Sequence, residues 1–358
     1  MKILNGDLSK KDIENWLRET DPKKLSILWD TADALRLKYV GNTVHFRGLL
    51  EISNHCIRKC TYCGINSAFQ TIPRYRMSKE EVMAGVYNIA ELGYGTVVMQ
   101  AGEDYGLTRE FIADIIQSIK IHTSLAVTLS LGERPHEDLL AWKKAGADRY
   151  LLRFETSAQN LYRLIHPSLG AAEPLLQRFH ILKKLRDLGY EIGSGVMIGI
   201  PGQTYQVLAN DIDHFRALDL DMVGVGPYIA SPETALGRGL IEIPDVGNEQ
   251  VPANELMTYK AVALARLVCP QANIPSTTAL ATINRVDGRE LGLKRGANIV
   301  MPNITPTKYR EQYTIYPNKA GINESALACA TAIRHRIEKL GREAGSGAGG
   351  RSRDGSMP

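Results

Sequence analysis

The chain has 358 residues, 44% hydrophobic and 23% charged, enough for one large α/β domain or two small ones. Its net charge of +4 is too mild to argue for a nucleic-acid partner, and no apolar stretch approaches the ~20 residues of a membrane span. Five cysteines in so long a chain do not make a disulfide framework, and Met1 to Lys11 lacks the apolar core of a secretory signal, so a reducing cytoplasm is the expected location.

Residues 1–42 read as a helical extension. Ser9 is placed as an N-cap, Asp12 follows in the first turn where a carboxylate suits the helix dipole, and Ile13, Trp16 and Leu17 recur at helical spacing. A second helix is predicted from Pro22 to Lys38, with Leu25, Leu28, Ala32 and Leu35 as its apolar stripe. From Thr43, strand-like runs at 43–53, 95–101, 126–131, 149–154, 191–200, 221–227, 274–281 and 297–302 alternate with helical segments such as Ser78–Leu92, Arg109–Ile121, Glu137–Ala145, Glu173–Leu188 and Ala253–Val268. Such alternation predicts parallel βαβ units. Eight runs between residues 43 and 305 match the ~250 residues typical of a (β/α)8 TIM-type barrel; a doubly wound open sheet is the alternative. The predicted organisation is an N-terminal helical segment (1–42), the barrel (43–320), a C-terminal helix (321–340) and a glycine-rich tail (341–358) that reads as disordered.

A barrel places its chemistry at the C-terminal ends of its strands. The first strand runs directly into Cys56-Ile57-Arg58-Lys59-Cys60-Thr61-Tyr62-Cys63. Clustered thiolates favour zinc, copper(I) or iron–sulfur clusters. Structural zinc takes four ligands, and only His55 stands near enough to be the fourth, whereas a cubane on three cysteines keeps one iron open for a substrate. The spacing by itself leaves zinc, or chance, as alternatives. Polar clusters recur at the other strand ends: Gln100–Asp104; Thr128, Ser130, Gly132, Glu133 and Arg134; Arg153–Thr156; Gly199–Thr204; Thr277 and Thr278. Charge at the end of a buried strand is costly unless paired or functional. Taken singly, each is explained as well by an ion pair or a turn.

The cysteine spacing, with an aromatic just before the last cysteine, resembles the cluster motif of the radical S-adenosylmethionine (radical SAM) enzymes. Together with Arg74–Met77, Gln100–Asp104, Thr128–Glu133, Gly146–Arg153, Gly199–Thr204, Asp221–Gly224, Ile274–Thr278, Gly296–Asn303 and the segment of Tyr309, Tyr313 and Tyr316, it makes the chain resemble the biotin synthase-like group. Within that group the similarity is to the FeFe-hydrogenase maturases, over most of residues 40–317.

That resemblance implies one 4Fe-4S cluster on Cys56, Cys60 and Cys63, with S-adenosylmethionine (SAM) chelated at the open iron and cleaved reductively to a 5′-deoxyadenosyl radical. It implies Gly102 and Glu103 for the methionine amino group, Glu155 for the ribose hydroxyls, Arg178 near the methionine carboxylate, and Tyr62 and Met197 near the adenosine. For Arg178 the alternative is a solvated helix residue, and for Met197 core packing. Inside the barrel the resemblance implies Arg153, Thr128 and Tyr309 in catalysis, and Gln100, Thr277, Thr278, Met301 and Tyr313 as contacts. The implied substrate is a small anionic, cysteine-ligated iron complex carrying carbonyl and cyanide. Core packing explains the tyrosines and Met301 equally well.

The implied partners are an electron donor such as ferredoxin or flavodoxin and other hydrogenase maturation proteins, with neither nucleic acid nor membrane. Many relatives carry further C-terminal cysteines for a second cluster. Here only Cys329 lies in that region, so no second cluster is expected there, and Cys329 and Cys269 read as buried core thiols. Two other radical SAM outcomes compete, a methylornithine synthase-like rearrangement and a biotin synthase-like sulfur insertion. The latter normally needs a cluster inside the barrel, and no predicted strand beyond the first motif holds a cysteine. A noncatalytic iron–sulfur or zinc scaffold is the alternative of another class; it leaves the strand-end polar clusters unexplained.

Overall fold

The computed structural model describes residues 7–170, 174–322 and 326–351. Local sequence sets the first elements. Helix α1 (Lys10–Arg18) starts at a capping box in which Ser9 and Asp12 satisfy each other's backbone N–H groups. Helix α2 (Pro22–Val40) starts at Asp21, with proline at the first turn where no N–H is needed. The chain then alternates: β1 (Thr43–Ser53), α3 (Lys79–Glu91), β2 (Thr96–Ala101), α4 (Arg109–His122), β3 (Ala126–Ser130), α5 (His136–Lys144), β4 (Arg149–Leu151), α6 (Gln159–Ile165), α7 (Pro174–Asp187), β5 (Glu191–Ile198), α8 (Tyr205–Ala217), β6 (Met222–Pro227), α9 (Glu255–Val268), α10 (Thr278–Ile283), α11 (Gly288–Leu293), β7 (Ile299–Val300), α12 (Thr307–Arg310), α13 (Ala326–Lys339) and β8 (Glu343–Gly345). Helix α1 packs on α8 and α2 on α9, so the extension covers one flank of the barrel.

The strands pair in parallel in the order β6-β5-β4-β3-β2-β1-β7. The predicted run 274–281 is not a strand. Thr277 caps a helix instead, its hydroxyl accepting from the Leu280 N–H, and the run beyond it coils into α10. Only residues 273–275 are extended, yet they close the ring: Asn273 bridges to Met222 on β6, and Pro275 to Ile299 on β7. The TIM-type barrel therefore holds, with a seventh stave only three residues long.

Side-chain alternation decides what faces the interior. On β1, a Cβ at Gly48 would lie 2.5 Å from the Ile89 side chain of α3, and Leu50 packs on Gly85 of the same helix. His45, Arg47, Leu49, Glu51 and Ser53 therefore point inward. By the same period Val97 and Met99, Val127 and Leu129, and Tyr150 and Leu152 join the outer core against the helices. Val98, Gln100, Thr128, Arg149 and Arg153 are left for the interior.

The tail departs from expectation. Residues 341–351 are ordered, and 352–358 lie outside the described residues. Strand β8 pairs with the start of β1, Thr43 opposite Glu343 and His45 opposite Gly345. The chain then crosses the lower, N-terminal mouth of the barrel. Thr96 and Arg149 each donate to Ala348 O at 3.0 Å, and Arg47 and Asn273 donate to Gly349 O at 3.2 and 3.0 Å. Arg351 pairs with Asp219 and Asp221. The glycines that suggested disorder supply the thin cross-section this path needs, since a Cβ at Gly349 would lie 2.5 Å from the His45 ring.

Candidate active site at the upper mouth of the barrel

The cysteine loop leaves the C-terminal end of β1 and is fixed by neighbours far along the chain. Arg74 fans across four loop carbonyls, those of Asn54, Ile65, Asn66 and Phe69, all within 2.7 Å. Gly102, just past β2, is pressed against the loop so closely that a Cβ would stand 2.2 Å from His55 O and 2.7 Å from the Cys56 Cβ. Gly64 has the same constraint from Thr314 O, at 2.1 Å.

Cys56, Cys60, Cys63 and Cys269 are free thiols. The Glu103 N–H donates to Cys56 Sγ at 3.4 Å. Cys60 Sγ lies 3.3 Å from His166 Nδ1, and the other ring nitrogen of His166 lies 3.1 Å from the Tyr62 hydroxyl. Burial pushes the Cys60 thiol well up and the Cys63 thiol to about 12. Such sulfurs ionise when a bound cation replaces the lost solvation. Among the described residues, no three His, Cys, Asp or Glu side chains converge on a point that one metal ion would occupy. A cubane asks for something else, because each thiolate serves a different iron. Three thiols on one braced loop, Cys60 buried and Cys56 and Cys63 half-buried, with a backbone N–H aimed at one sulfur, fit that group.

Around the loop runs a buried ion-pair network. Arg58 contacts Glu103 at 2.8 Å and Glu133 at 2.7 Å, and Arg178 contacts Glu133 at 2.9 Å. Arg178 also donates to Arg153 O. At 7% exposure it is no solvated helix residue; α7 turns it under the cysteine loop. Glu103 is fully engaged, one oxygen on Arg58 and the other on the Glu133 N–H at 3.0 Å. Met197 sits in an apolar cluster with Leu161, Ile200, Tyr228 and Leu236, and Tyr62 packs against that cluster.

Glu155 holds φ +62°, a left-handed backbone that costs a glutamate about 1–3 kcal/mol. It is 6% exposed, and burial pushes its carboxyl up against the opposing charges of Arg153 and Arg178. Its Oε2 is 3.0 Å from Arg153 Nη2 but has no hydrogen-bond partner. Thr128 Oγ1 and Arg153 Nε are likewise buried and without a hydrogen-bond partner among the described residues. Gln100 Nε2 donates to the Tyr313 hydroxyl at 3.2 Å. Thr278 and Met301 line a cavity of about 160 Å³ with Asn303 and Arg310, while Thr277 Oγ1 is committed to its helix cap.

Tyr309 is not brought to this group by its hydroxyl. The ring stacks on Tyr75 at 4.4 Å, and the hydroxyl donates to Glu81 at 2.7 Å, at the start of α3 outside the barrel. Cys269 is buried, as expected, and the side chain of Cys329 lies outside the described residues. The sequence reading missed His166, the bracing role of Arg74, and a buried ion pair between Glu51 and Lys319. Arg74 opens the stretch Arg74–Met77 that carries part of the family resemblance, which was a signal; His166 and Lys319 gave none.

The family profile of the radical SAM superfamily matches residues 50–215, from the end of β1 into α8. Over 354 residues the chain is 41% identical to the FeFe hydrogenase maturase subunit HydE of Thermotoga maritima, covering 97% of each chain. The chain belongs to the radical SAM superfamily. This radical SAM enzyme is also 28% identical over 302 residues to 3-methylornithine synthase of Methanosarcina acetivorans, 84% of this chain and 81% of that one. The crystal structure of methylornithine synthase PylB superposes with a TM-score of 0.80, over 96% of both chains at 23% identity, and so shares the fold. Membership sets aside the noncatalytic scaffold, and the family implies a 4Fe-4S cluster and SAM. Among the described residues no helix is long and apolar enough to cross a membrane.

Proposed function

We propose that this radical SAM enzyme carries one 4Fe-4S cluster on Cys56, Cys60 and Cys63 and works in assembly of the active-site cluster of an FeFe hydrogenase. When bound, the cluster and SAM together supply a 5′-deoxyadenosyl radical. The chain's residues bind and orient. Gly102 gives SAM a close approach to the cysteine loop, with Glu103 behind it. Glu155 offers an open carboxylate oxygen to the ribose hydroxyls, Arg178 lies near the methionine carboxylate, and Tyr62 and Met197 border the adenosine. Deeper in, Arg153 and Thr128 present donors to a small anionic substrate, a cysteine-ligated iron complex carrying carbonyl and cyanide. Gln100, Tyr313, Thr277, Thr278 and Met301 form the wall around it. A ferredoxin or flavodoxin supplies the electron, and other maturation proteins are the further partners.

One observation carries this reading: on the third and fourth staves Thr128 Oγ1 and Arg153 Nε are buried without a hydrogen-bond partner among the described residues, and Glu155 Oε2 faces only the Arg153 guanidinium. Each such group costs about 1–3 kcal/mol until a ligand satisfies it. The test is complementation of a strain lacking its HydE-type maturase. Restored hydrogenase activity is expected; a chain that loads iron and cleaves SAM but restores none, or that forms 3-methylornithine, belongs to another reaction.

A further inference from the structure

Outside the residues assigned so far, two buried lysines each have one hydrogen-bond acceptor among the described residues: Lys260, held by Leu17 O at 2.8 Å on the α1–α9 flank, and Lys319, at the barrel mouth. Lys319, 5% exposed, reaches over the upper mouth from the segment after α12. Its ammonium hydrogen-bonds to Glu51 Oε1 and lies 5.3 Å from the centroid of the Tyr313 ring. Glu51 faces the interior from β1 and is satisfied by its two partners, Lys319 on one oxygen and Asn303 Nδ2 on the other at 2.9 Å. An ammonium has three donors, and Glu51 is the one hydrogen-bond acceptor it has among the described residues. Burying a charge without enough acceptors is expensive, and a clasp alone needs only one of the three. The Tyr313 hydroxyl, bonded to Gln100, sets this ammonium beside the interior wall.

We propose that Lys319, aimed by Glu51, is a specificity-determining contact that binds a carboxylate group of the substrate. This rests on the reading of the interior as the place of a small cysteine-ligated anion. The carboxylate of that amino acid meets the free N–H groups of Lys319, and Arg153 serves the anionic remainder. Glu51 is a positioning residue, acting through the lysine.

The test uses the anaerobically reconstituted enzyme, with L-cysteine and cysteamine, which lacks the carboxylate, as calorimetric probes. The parent and Lys319→Arg are expected to prefer L-cysteine by about tenfold or more, and Lys319→Met to lose that preference while keeping its iron. Glu51→Gln keeps the preference but weakens it severalfold. A Lys319→Met protein that keeps the parent's preference overturns the proposal. So does one that merely loses thermal stability with the preference intact, since the pair is then only a clasp. Failure of the parent to bind L-cysteine counts against the maturase substrate instead. Lys319 is then decided by acetate, whose protection of the parent against heating must disappear in Lys319→Met; equal protection of both overturns the proposal.

Discussion

At the lower mouth of the barrel, Arg47, Arg149, Thr96 and Asn273 donate to carbonyls of the chain's own tail, and Arg351 pins that tail to Asp219 and Asp221. At the upper mouth, Thr128, Arg153 and Glu155 keep buried polar atoms with no hydrogen-bond partner among the described residues, Glu155 Oε2 facing only the Arg153 guanidinium. The lower mouth has open nitrogens too, on His45 and Arg47, but backbone fills the space beside them. One end is completed by glycine-rich polypeptide, while the other keeps buried polar atoms turned toward the barrel interior. The difference separates stability from function along a single axis, and it can be broken from either side.

The largest effect is expected at the top. Cys56→Ser, Cys60→Ser or Cys63→Ser should each abolish the absorbance of the reconstituted 4Fe-4S cluster while leaving the far-ultraviolet circular dichroism of the barrel intact. A full cluster in all three variants would sink the proposed ligation. Next comes the bottom: a chain ending at Arg342 loses β8 and the tail's carbonyls. At about 1 kcal/mol per lost hydrogen bond, more for those to arginine, the loss is roughly 3–5 kcal/mol. Calorimetry should show a clear drop in Tm; an unchanged Tm means the tail rests on the mouth without sealing it.

Gly102→Ala tests the join between the cysteine loop and β2. Its Cβ would stand 2.2 Å from a backbone carbonyl, which cannot yield as a flexible side chain does. Iron loading is expected to fall severalfold with little change in Tm; normal loading would show that the loop can shift. Glu155→Ala should weaken SAM binding by about tenfold while iron content stays at the parent's level, and unchanged affinity by calorimetry would make Glu155 structural.

A pH-dependent effect belongs to the flank between the two mouths. Asp211 on α8 is fully buried, and burial pushes its carboxyl up to about 6 against hydrogen bonds from Ser157 and Gln203. The unfolded group titrates near 4. Between those values the folded chain holds a proton that the unfolded chain has released. The resulting stability is present in full below about pH 4 and lost as pH rises through about 6, on the order of 2 kcal/mol. Asp211→Asn should flatten that part of the stability–pH curve; a curve parallel to the parent's would assign the slope to other groups.

Much of the barrel was legible because its signals are local. The N-cap at Ser9, the alternating apolar runs and the cysteine triplet each act within a dozen residues. What failed depends on distant partners. The seventh stave is three residues long because Thr277 caps a helix there, and its apolar run could serve either state. Tyr309 was placed at the interior by the resemblance, whereas its hydroxyl donates to Glu81 in the first turn of α3. Lys319 and Glu51 meet across most of the chain, and no spacing rule links them. Composition misled once: glycine marks disorder where nothing encloses it, but in the tail it marks a narrow passage.

That passage also sets the order of folding. Strand β1 needs residues 343–345 to complete its lower edge, a pairing that spans roughly 300 positions, and contacts of such separation form slowly. As the chain is synthesised, the first barrel strand emerges roughly 300 residues before its lower partner. Until that partner emerges, the start of β1 is an open strand edge that any other extended segment can join. The barrel floor is therefore the step of biogenesis most exposed to mispairing, and the one at which a chaperone's protection has most to offer.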